Sequence, residues 1–189
     1  MKNLNTTFLA LVFGLTIGVV GCGERSSEAE NGREELTGTE TGEEIASPLR
    51  TAKGQINNKE VRVQYGSPSI RNRIIWGDLV PYNEVWRTGA NEATFVEFSE
   101  DVTVEGKPLK AGKYSLFTIP KQDGPWTVIF NEEWDLKHGH FQYNQEHDVL
   151  RVEAIPKWET NSEESLHIAV EQPGIVIKWE KVSLPISVE

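Results

Sequence analysis

Short segments in which apolar and polar residues alternate constrain the fold of this chain more than any other feature of its sequence. The alternation occurs in residues 61–65, 102–105, 126–131, 166–171 and 175–180. A period of two residues places successive side chains on opposite faces of a β-strand, so one face of each segment is apolar. These segments therefore predict strands that bury one face in a common core.

Four more segments rich in β-branched and aromatic residues predict further strands. They are residues 94–99, 113–119, 149–155 and 182–188. Turn-forming pairs such as Glu105-Gly106 and Ala111-Gly112 separate the segments. Eight or nine short strands with turns between them predict an all-β domain, either a β-sandwich or a jelly-roll-like fold. Residues 78–86 are predicted to form a single helical turn.

The first 21 residues have the properties of a signal peptide. Lys2 supplies a positive start, and Phe8 to Val20 form an uncharged apolar stretch. That stretch is shorter than the roughly 20 residues that a membrane-spanning helix needs. The residues Val19-Val20-Gly21-Cys22 follow at once and resemble the bacterial lipobox, in which the cysteine thiol receives a diacylglycerol. Cys22 is therefore the predicted lipidation site, and the lipid would anchor the chain to a membrane.

Residues 23–47 are rich in Glu, Gly, Ser and Thr, and Leu36 and Ile45 are their only large apolar residues. Such a composition cannot bury enough apolar surface to offset the entropy of ordering. Three regions are therefore predicted: a signal peptide at 1–21, a lipidated cysteine with a disordered acidic tether at 22–47, and an all-β globular domain at 48–189.

Charge and cysteine content narrow the partners. The net charge is −10, and an acidic chain without a basic patch repels phosphate backbones, which argues against nucleic-acid binding. Cys22 is the only cysteine, so packing rather than a disulfide must stabilise the domain. The predicted location is exported and lipid-anchored to a bacterial membrane, at its periplasmic face or at the cell surface.

Three blocks of sequence together resemble the bacterial family known as domain of unknown function 2911. They are Tyr65-Gly66-Ser67-Pro68-Ser69 with Arg73-Ile74-Ile75-Trp76-Gly77, then Leu79-Val80-Pro81-Tyr82 with the stretch from Val85 to Thr94, and then Ala111 to Phe117. The similarity covers about residues 50–185. It implies an exported all-β domain, often lipid-anchored, and assigns no catalytic residue. His138-Gly139-His140 departs from the Trp-Gly expected in relatives.

The block from Trp86 to Thr94 combines charged and amide side chains with an aromatic residue. Arg87, Asn91 and Glu92 would offer a guanidinium fork, an amide and a carboxylate, a set that recognises a carboxylate or a sugar hydroxyl. The alternative is structural: Arg87 and Glu92 pair with each other or with neighbours, Asn91 caps a turn, and Trp86 fills the core.

Two further groups supplement this candidate ligand site. Arg71 and Arg73 would provide positive charge for an anionic ligand, or would be solvated loop residues. The aromatic residues Tyr65, Trp76, Tyr82 and Trp86 would form a platform for a sugar ring, or would belong to the core.

His138, His140 and His147 are weak candidates for metal ligands. In an extended segment His138 and His140 would lie on one face, a spacing that zinc sites in β-proteins use. The surrounding residues favour a loop, so no metal and no cofactor is predicted.

The sequence supports two classes of function. The first is a non-catalytic binding or assembly module of the cell envelope that engages a glycan, a peptide or an envelope protein. The second is an envelope hydrolase or isomerase that uses Glu92 with Arg87 or Arg73. The sequence lacks the nucleophile-elbow, P-loop, dinucleotide and zinc-protease motifs, which favours the first class and leaves enzymatic activity open.

Overall fold

A computed structural model describes residues 46–189, and within them the chain forms ten β-strands and two short 3₁₀ helices. The strands are β1 (Leu49–Ile56), β2 (Lys59–Gly66), β3 (Phe95–Phe98), β4 (Val102–Val104), β5 (Lys107–Leu109), β6 (Gly112–Ile119), β7 (Trp126–Asn131), β8 (Asp148–Ala154), β9 (Lys157–Glu171) and β10 (Gly174–Ser187). The 3₁₀ helices are Gly139–Gln142 and Gln145–His147. The predicted signal peptide, Cys22 and residues 23–45 of the predicted tether lie outside the described residues. Among residues 46–189, no helix has the length and apolarity needed to span a membrane.

Two layers of antiparallel strands confirm the predicted all-β sandwich class. The first layer is a six-stranded sheet in the order β1-β2-β3-β6-β7-β8. The second layer contains the long hairpin of β9 and β10. The small hairpin of β4 and β5 extends this second layer. Val104 forms a β-bridge with Val188, and Thr103 exchanges backbone hydrogen bonds of 2.8 and 2.9 Å with Glu189.

The predicted alternation places the main core between the two layers. Val63, Val96 and Val128 point inward from the first sheet and are fully buried. Ile168 and Ile175 meet them from the long hairpin and belong to the same cluster. These side chains form one continuous core, and the burial of their apolar surface stabilises the folded domain.

The outer face of the six-stranded sheet carries a second, smaller core. Ala93, Phe117 and Ile129 are buried there, and Leu136 and Tyr143 pack on them from the loop between β7 and β8. This loop therefore covers part of a sheet face that would otherwise expose large apolar side chains. The cover explains why β6 and β7 are apolar on both faces instead of strictly alternating.

Asp148 holds the covering loop through a polar network. Its carboxylate accepts hydrogen bonds from Tyr143 Oη at 2.7 Å, from Arg151 Nε at 2.7 Å and from Asn131 Nδ2 at 2.9 Å. The Asp148 side chain is only 7% exposed. Because burial and the bond to Asp148 both favour the neutral phenol, the pKa of Tyr143 rises to about 12.

Strand β10 bends sharply in its middle. Its pairing with β9 shifts register on either side of Glu180, which has a positive φ of 52°. The bend brings the end of the strand back to its start, so that the Val188 N–H donates to Pro173 O at 2.9 Å. Trp179, directly before the bend, is 1% exposed and lies in the main core.

The helical turn predicted for residues 78–86 is wrong. This stretch forms turns and single bridges instead. Pro81 has no N–H for a helical bond, and Asn83 adopts a left-handed φ of 64° that ends any helical run. Trp86 then pairs with Thr118 at the end of β6 through reciprocal backbone hydrogen bonds of 2.8 and 2.9 Å.

Candidate ligand-binding groove

The long connection between β2 and β3 builds the candidate site. Connections of this length without regular structure are uncommon in compact domains and often carry function. Several non-glycine residues in it have positive φ, including the buried and β-branched Thr88 at 54°. Such a backbone persists only when its surroundings hold it. Here the Thr88 hydroxyl bonds to Thr118 Oγ1 at 3.2 Å, and the Thr94 hydroxyl donates to Thr88 O at 2.9 Å.

Two of the sequence blocks meet at Gly66 and Ala90. The Ala90 N–H donates to Gly66 O at 3.2 Å, and a Cβ atom at Gly66 would lie only 2.1 Å from Ala90 O. Ser67 ties the same region to the second layer, because its hydroxyl donates to Leu166 O at 2.7 Å. The closeness of these backbones requires glycine at position 66.

Four tryptophans, two from the loop and two from strands β7 and β10, pack together beneath the site. Trp86 stacks on Trp179 with ring centroids 5.8 Å apart, and its indole N–H donates to Gly89 O at 3.2 Å. Trp76 contacts Trp86, Trp126 and Trp179 edge to face at 5.6, 4.8 and 5.9 Å. Aromatic pairs in these geometries add stabilisation beyond their buried area. The backbone at Gly89 is therefore fixed by the aromatic core.

A groove of about 430 Å³ lies between this loop and strand β10. Its apolar walls are Pro68, Leu79, Pro81, Val85, Trp86 and Trp179. Its charged lining residues are Arg73, Glu84 and Arg87. A concave site with apolar walls and a few polar groups is typical of small-ligand sites.

Arg87 lies half-buried at this groove. Its Nη1 donates to Asn91 O at 2.8 Å, whereas its buried Nε has no hydrogen-bond partner. Gly139 packs against the aliphatic part of the Arg87 side chain, since a Cβ atom at Gly139 would lie 2.3 Å from Arg87 Cδ. Burial lowers the pKa of Arg87, and the nearby charge of Glu92 offsets part of that effect.

Arg73 contributes the second guanidinium of the groove. Its Nη2 donates to Ser69 O at 2.6 Å and its Nε to Ile70 O at 3.0 Å, so its own loop fixes the side chain. Neither Arg73 nor Arg87 forms an ion pair with any carboxylate among residues 46–189.

The structure brings together three of the residues predicted as a ligand site, namely Arg73, Trp86 and Arg87. Tyr82 instead packs against Gly77, and its pKa is raised by burial and by the charges of Asp123 and Glu180. Asn91 supports Arg87 through its backbone oxygen, and its own amide donates to Ser47 O at 3.4 Å.

The aromatic residues proposed as a sugar platform are mostly core residues. Tyr65 is 3% exposed and its hydroxyl accepts from the Ile168 N–H at 3.0 Å. Trp86 is 8% exposed, and Trp76 packs partly buried against the main core. Tyr65 and Trp86 are therefore core residues, which is the alternative to a sugar platform that the sequence left open.

Glu92 is exposed and lines a different pocket of about 310 Å³ on the outer face of the six-stranded sheet. Lys113 lies in that pocket with its ammonium 3.9 Å from the ring centroid of Phe95 and 3.7 Å from that of Trp134. Arg73 does not line the Glu92 pocket, so these two residues of the alternative catalytic set lie in separate pockets within residues 46–189.

His147 pairs with acidic neighbours. Its Nδ1 lies 2.9 Å from Glu132 Oε1 and its Nε2 lies 3.8 Å from Glu133 Oε1, and the bond to Glu132 is the main cause of a raised pKa. The His138 N–H donates to Gln142 Oε1 at 2.8 Å, and the side chain of His140 lies outside the described residues. In the part of the chain that the structure describes, no three His, Cys, Asp or Glu side chains converge as metal ligands.

Trp179 is one of the groove residues that the sequence does not reveal, and it is the one from a distant strand. It reaches the site from β10, far along the chain from the loop that carries the arginines. Its indole N–H is buried and has no hydrogen-bond partner. A tryptophan in an alternating strand predicts a core residue, and only the topology shows that it borders a groove.

The fold and the groove define a two-layer antiparallel β-protein with an arginine-lined site between its longest loop and its second layer. The chain belongs to the family described as "Protein of unknown function (DUF2911)", whose model matches residues 47–188. This match confirms the resemblance expected from the sequence blocks. No curated protein and no solved structure matches the chain.

Proposed function

We propose that this protein is a non-catalytic binding module of the bacterial cell envelope, lipid-anchored at Cys22, whose ligand occupies the groove between Arg73, Arg87 and Trp179. The lipobox-like residues Val19 to Cys22 after an apolar stretch support the anchor. The tether predicted for residues 23–47 would hold the domain at a distance from the bilayer.

The single observation that supports the binding role is a groove lined by two arginines that form no ion pair within residues 46–189. Arg87 is half-buried, and burial lowers its pKa more than the nearby charge of Glu92 raises it. A partly desolvated cation is costly unless it is paired, and a bound anion would reduce that cost.

The contacts of Glu92 support catalysis less well. A catalytic carboxylate is typically held in a cleft beside the groups that act with it. Glu92 is exposed and lines the outer-face pocket with Lys113 and Lys137, whereas Arg73 lines the groove. Burial lowers the pKa of Arg87 and the charge of Glu92 offsets part of that fall, but no hydrogen bond or ion pair joins these two side chains. The binding role is therefore the better supported of the two functions.

Indole spectroscopy on the full lipidated chain in detergent micelles tests the binding role. The chain has six tryptophans, so selective ¹⁵N-indole labelling gives six resolvable signals. A small-molecule extract of the bacterial envelope is expected to shift the signals of Trp86 and Trp179. The signals of Trp134 and Trp158, which lie outside the groove lining, are the internal controls.

A matched pair of variants locates the response. Leu79→Phe narrows the groove and should abolish the shifts, whereas Ile74→Phe adds the same ring at an exposed position outside the groove lining and should preserve them. An extract that moves only Trp134 or Trp158, or no signal at all, contradicts the proposed site.

A further inference from the structure

The two arginines of the groove form no ion pair within the described domain. Arg62, Lys110, Lys121, Lys137 and Arg151 each have a carboxylate partner within ion-pair distance. Arg73 and Arg87 have none in residues 46–189, and Glu84 is the one acidic side chain that lines the groove with them. Arg87 is half-buried and loses part of its hydration, and the nearby charge of Glu92 offsets only part of that loss. A partly desolvated cation without a partner is costly, and a bound anion removes that cost.

The terminal N–H groups of the two arginines suit an anion. A guanidinium presents its N–H groups in a planar fork that matches the two oxygens of a carboxylate. Arg87 uses Nη1 to bond to Asn91 O, and Arg73 uses Nε and Nη2 to bond to its own loop. Within residues 46–189, Arg87 Nη2 and Arg73 Nη1 are therefore left for a ligand.

Carbon surface lies beside the arginines in the groove. Leu79, Pro81 and Val85 offer this surface, and Glu84 is the only acidic side chain in the lining. An aliphatic group that contacts these side chains would be desolvated favourably. The net charge of −10 does not attract anions at long range, so selection of an anion must arise inside the groove.

We propose that the ligand of this groove is a small molecule that carries one carboxylate on a compact apolar body. Arg87 Nη2 donates to the carboxylate, Arg73 adds a second positive charge, and Leu79, Pro81 and Val85 contact the apolar body. This inference rests on the proposed binding role of the groove and specifies the ligand class.

Three matched probes test the ligand class on the same ¹⁵N-indole-labelled full chain in micelles. N-acetyl-leucine carries a carboxylate and an apolar body, N-acetyl-leucinamide is its neutral counterpart, and glucuronate carries a carboxylate on a polyhydroxyl ring. The acid is expected to shift the Trp86 and Trp179 signals with an affinity at least about tenfold higher than that of the amide, because bonds between charged groups are the strong ones. Glucuronate is expected to bind about as weakly as the amide.

Arginine variants identify the binding group. Arg87→Gln and Arg73→Gln should each weaken binding of N-acetyl-leucine and bring its affinity close to that of the amide. Arg71→Gln removes the same charge from an exposed position outside the groove lining and should leave the affinity unchanged. Arg73 is exposed and bonds only to its own loop, so Arg73→Gln remains informative if Arg87→Gln fails to fold.

The outcomes separate this inference from the proposed function. Equal binding of acid and amide overturns the carboxylate assignment, and tighter binding of glucuronate overturns the apolar body. Unchanged affinity in both groove variants, or no binding of N-acetyl-leucine, also overturns the inference. In each of these cases the proposed function still stands if the envelope extract shifts the groove indoles and Leu79→Phe abolishes the shift.

Discussion

Replacing Gly66 with alanine should destabilise the domain through one close backbone contact. The added Cβ would lie 2.1 Å from Ala90 O and 3.0 Å from Ala90 C, and both atoms belong to the main chain. Non-bonded heavy atoms prefer about 3.5 Å or more, so the two segments must separate by more than about 1 Å. Overpacking typically costs about 1–3 kcal/mol, and an obstacle made of backbone argues for about 3 kcal/mol here. The separation would also stretch the bond from the Ala90 N–H to Gly66 O.

Thermal and chemical unfolding of Gly66→Ala and of a control variant, Gly106→Ala, measures this cost. For a domain of this size, a loss of about 3 kcal/mol corresponds to a fall in Tm of about 10 °C. Gly106→Ala is the control, because a Cβ there meets nothing within 4 Å and bears only the strain of a φ of 74°, about 1 kcal/mol. Because Ala90 lines the groove, Gly66→Ala should also shift the indole signals of Trp86 and Trp179. If Gly66→Ala loses no more stability than Gly106→Ala, the close contact does not hold the groove loop.

Further variants test the outer-face core and the two titrating groups near it. Phe117→Ala should cost about 3–5 kcal/mol in denaturant titrations, because the ring is fully buried; a loss below about 1 kcal/mol would contradict a second core. Tyr143→Phe should cost about 1–2 kcal/mol by losing its bond to Asp148. Because folding raises the pKa of Tyr143 to about 12, wild type should lose stability relative to this variant as the pH rises from about 10 to about 12; parallel Tm curves would refute the assignment. Because folding also raises the pKa of His147, its contribution should be complete below about pH 6.5 and be lost as the pH rises through the folded pKa. A His147→Gln variant whose Tm stays at a constant offset from wild type across that range would show that the contact with Glu132 has no such effect.

The sequence predicted those strands that bury one face. Residues 61–65 and 126–131 alternate because one side of each strand meets the core, and both segments are strands in the structure. The first half of β9, from Lys157 to Glu164, is exposed throughout. Its sequence therefore lacks the alternation of apolar and polar residues that would predict a strand paired with β10. Strand β1 escaped prediction for a related reason, since it is a mostly exposed edge strand with Lys and Gly at its centre.

The sequence predicted part of the groove. The polar block after Trp86 pointed to Arg87, and the arginine at position 73 lies in the same groove. Tyr82 and Glu92 lie elsewhere, because turns at Gly77 and at residues 88–91 direct neighbouring side chains to different surfaces. Trp179 joins the site through the bend in β10, and no local pattern encodes where a bent strand meets a distant loop.

Mass spectrometry of the full chain purified from bacterial membranes tests most directly the claim that a binding domain is held at the envelope by acyl chains. The account predicts a mature chain that begins at Cys22, carries a thioether-linked diacylglycerol on that residue and requires detergent for extraction. The Cys22→Ala variant should lack the lipid and leave the membrane fraction. A chain with an unmodified Cys22 that is recovered without detergent would contradict the account.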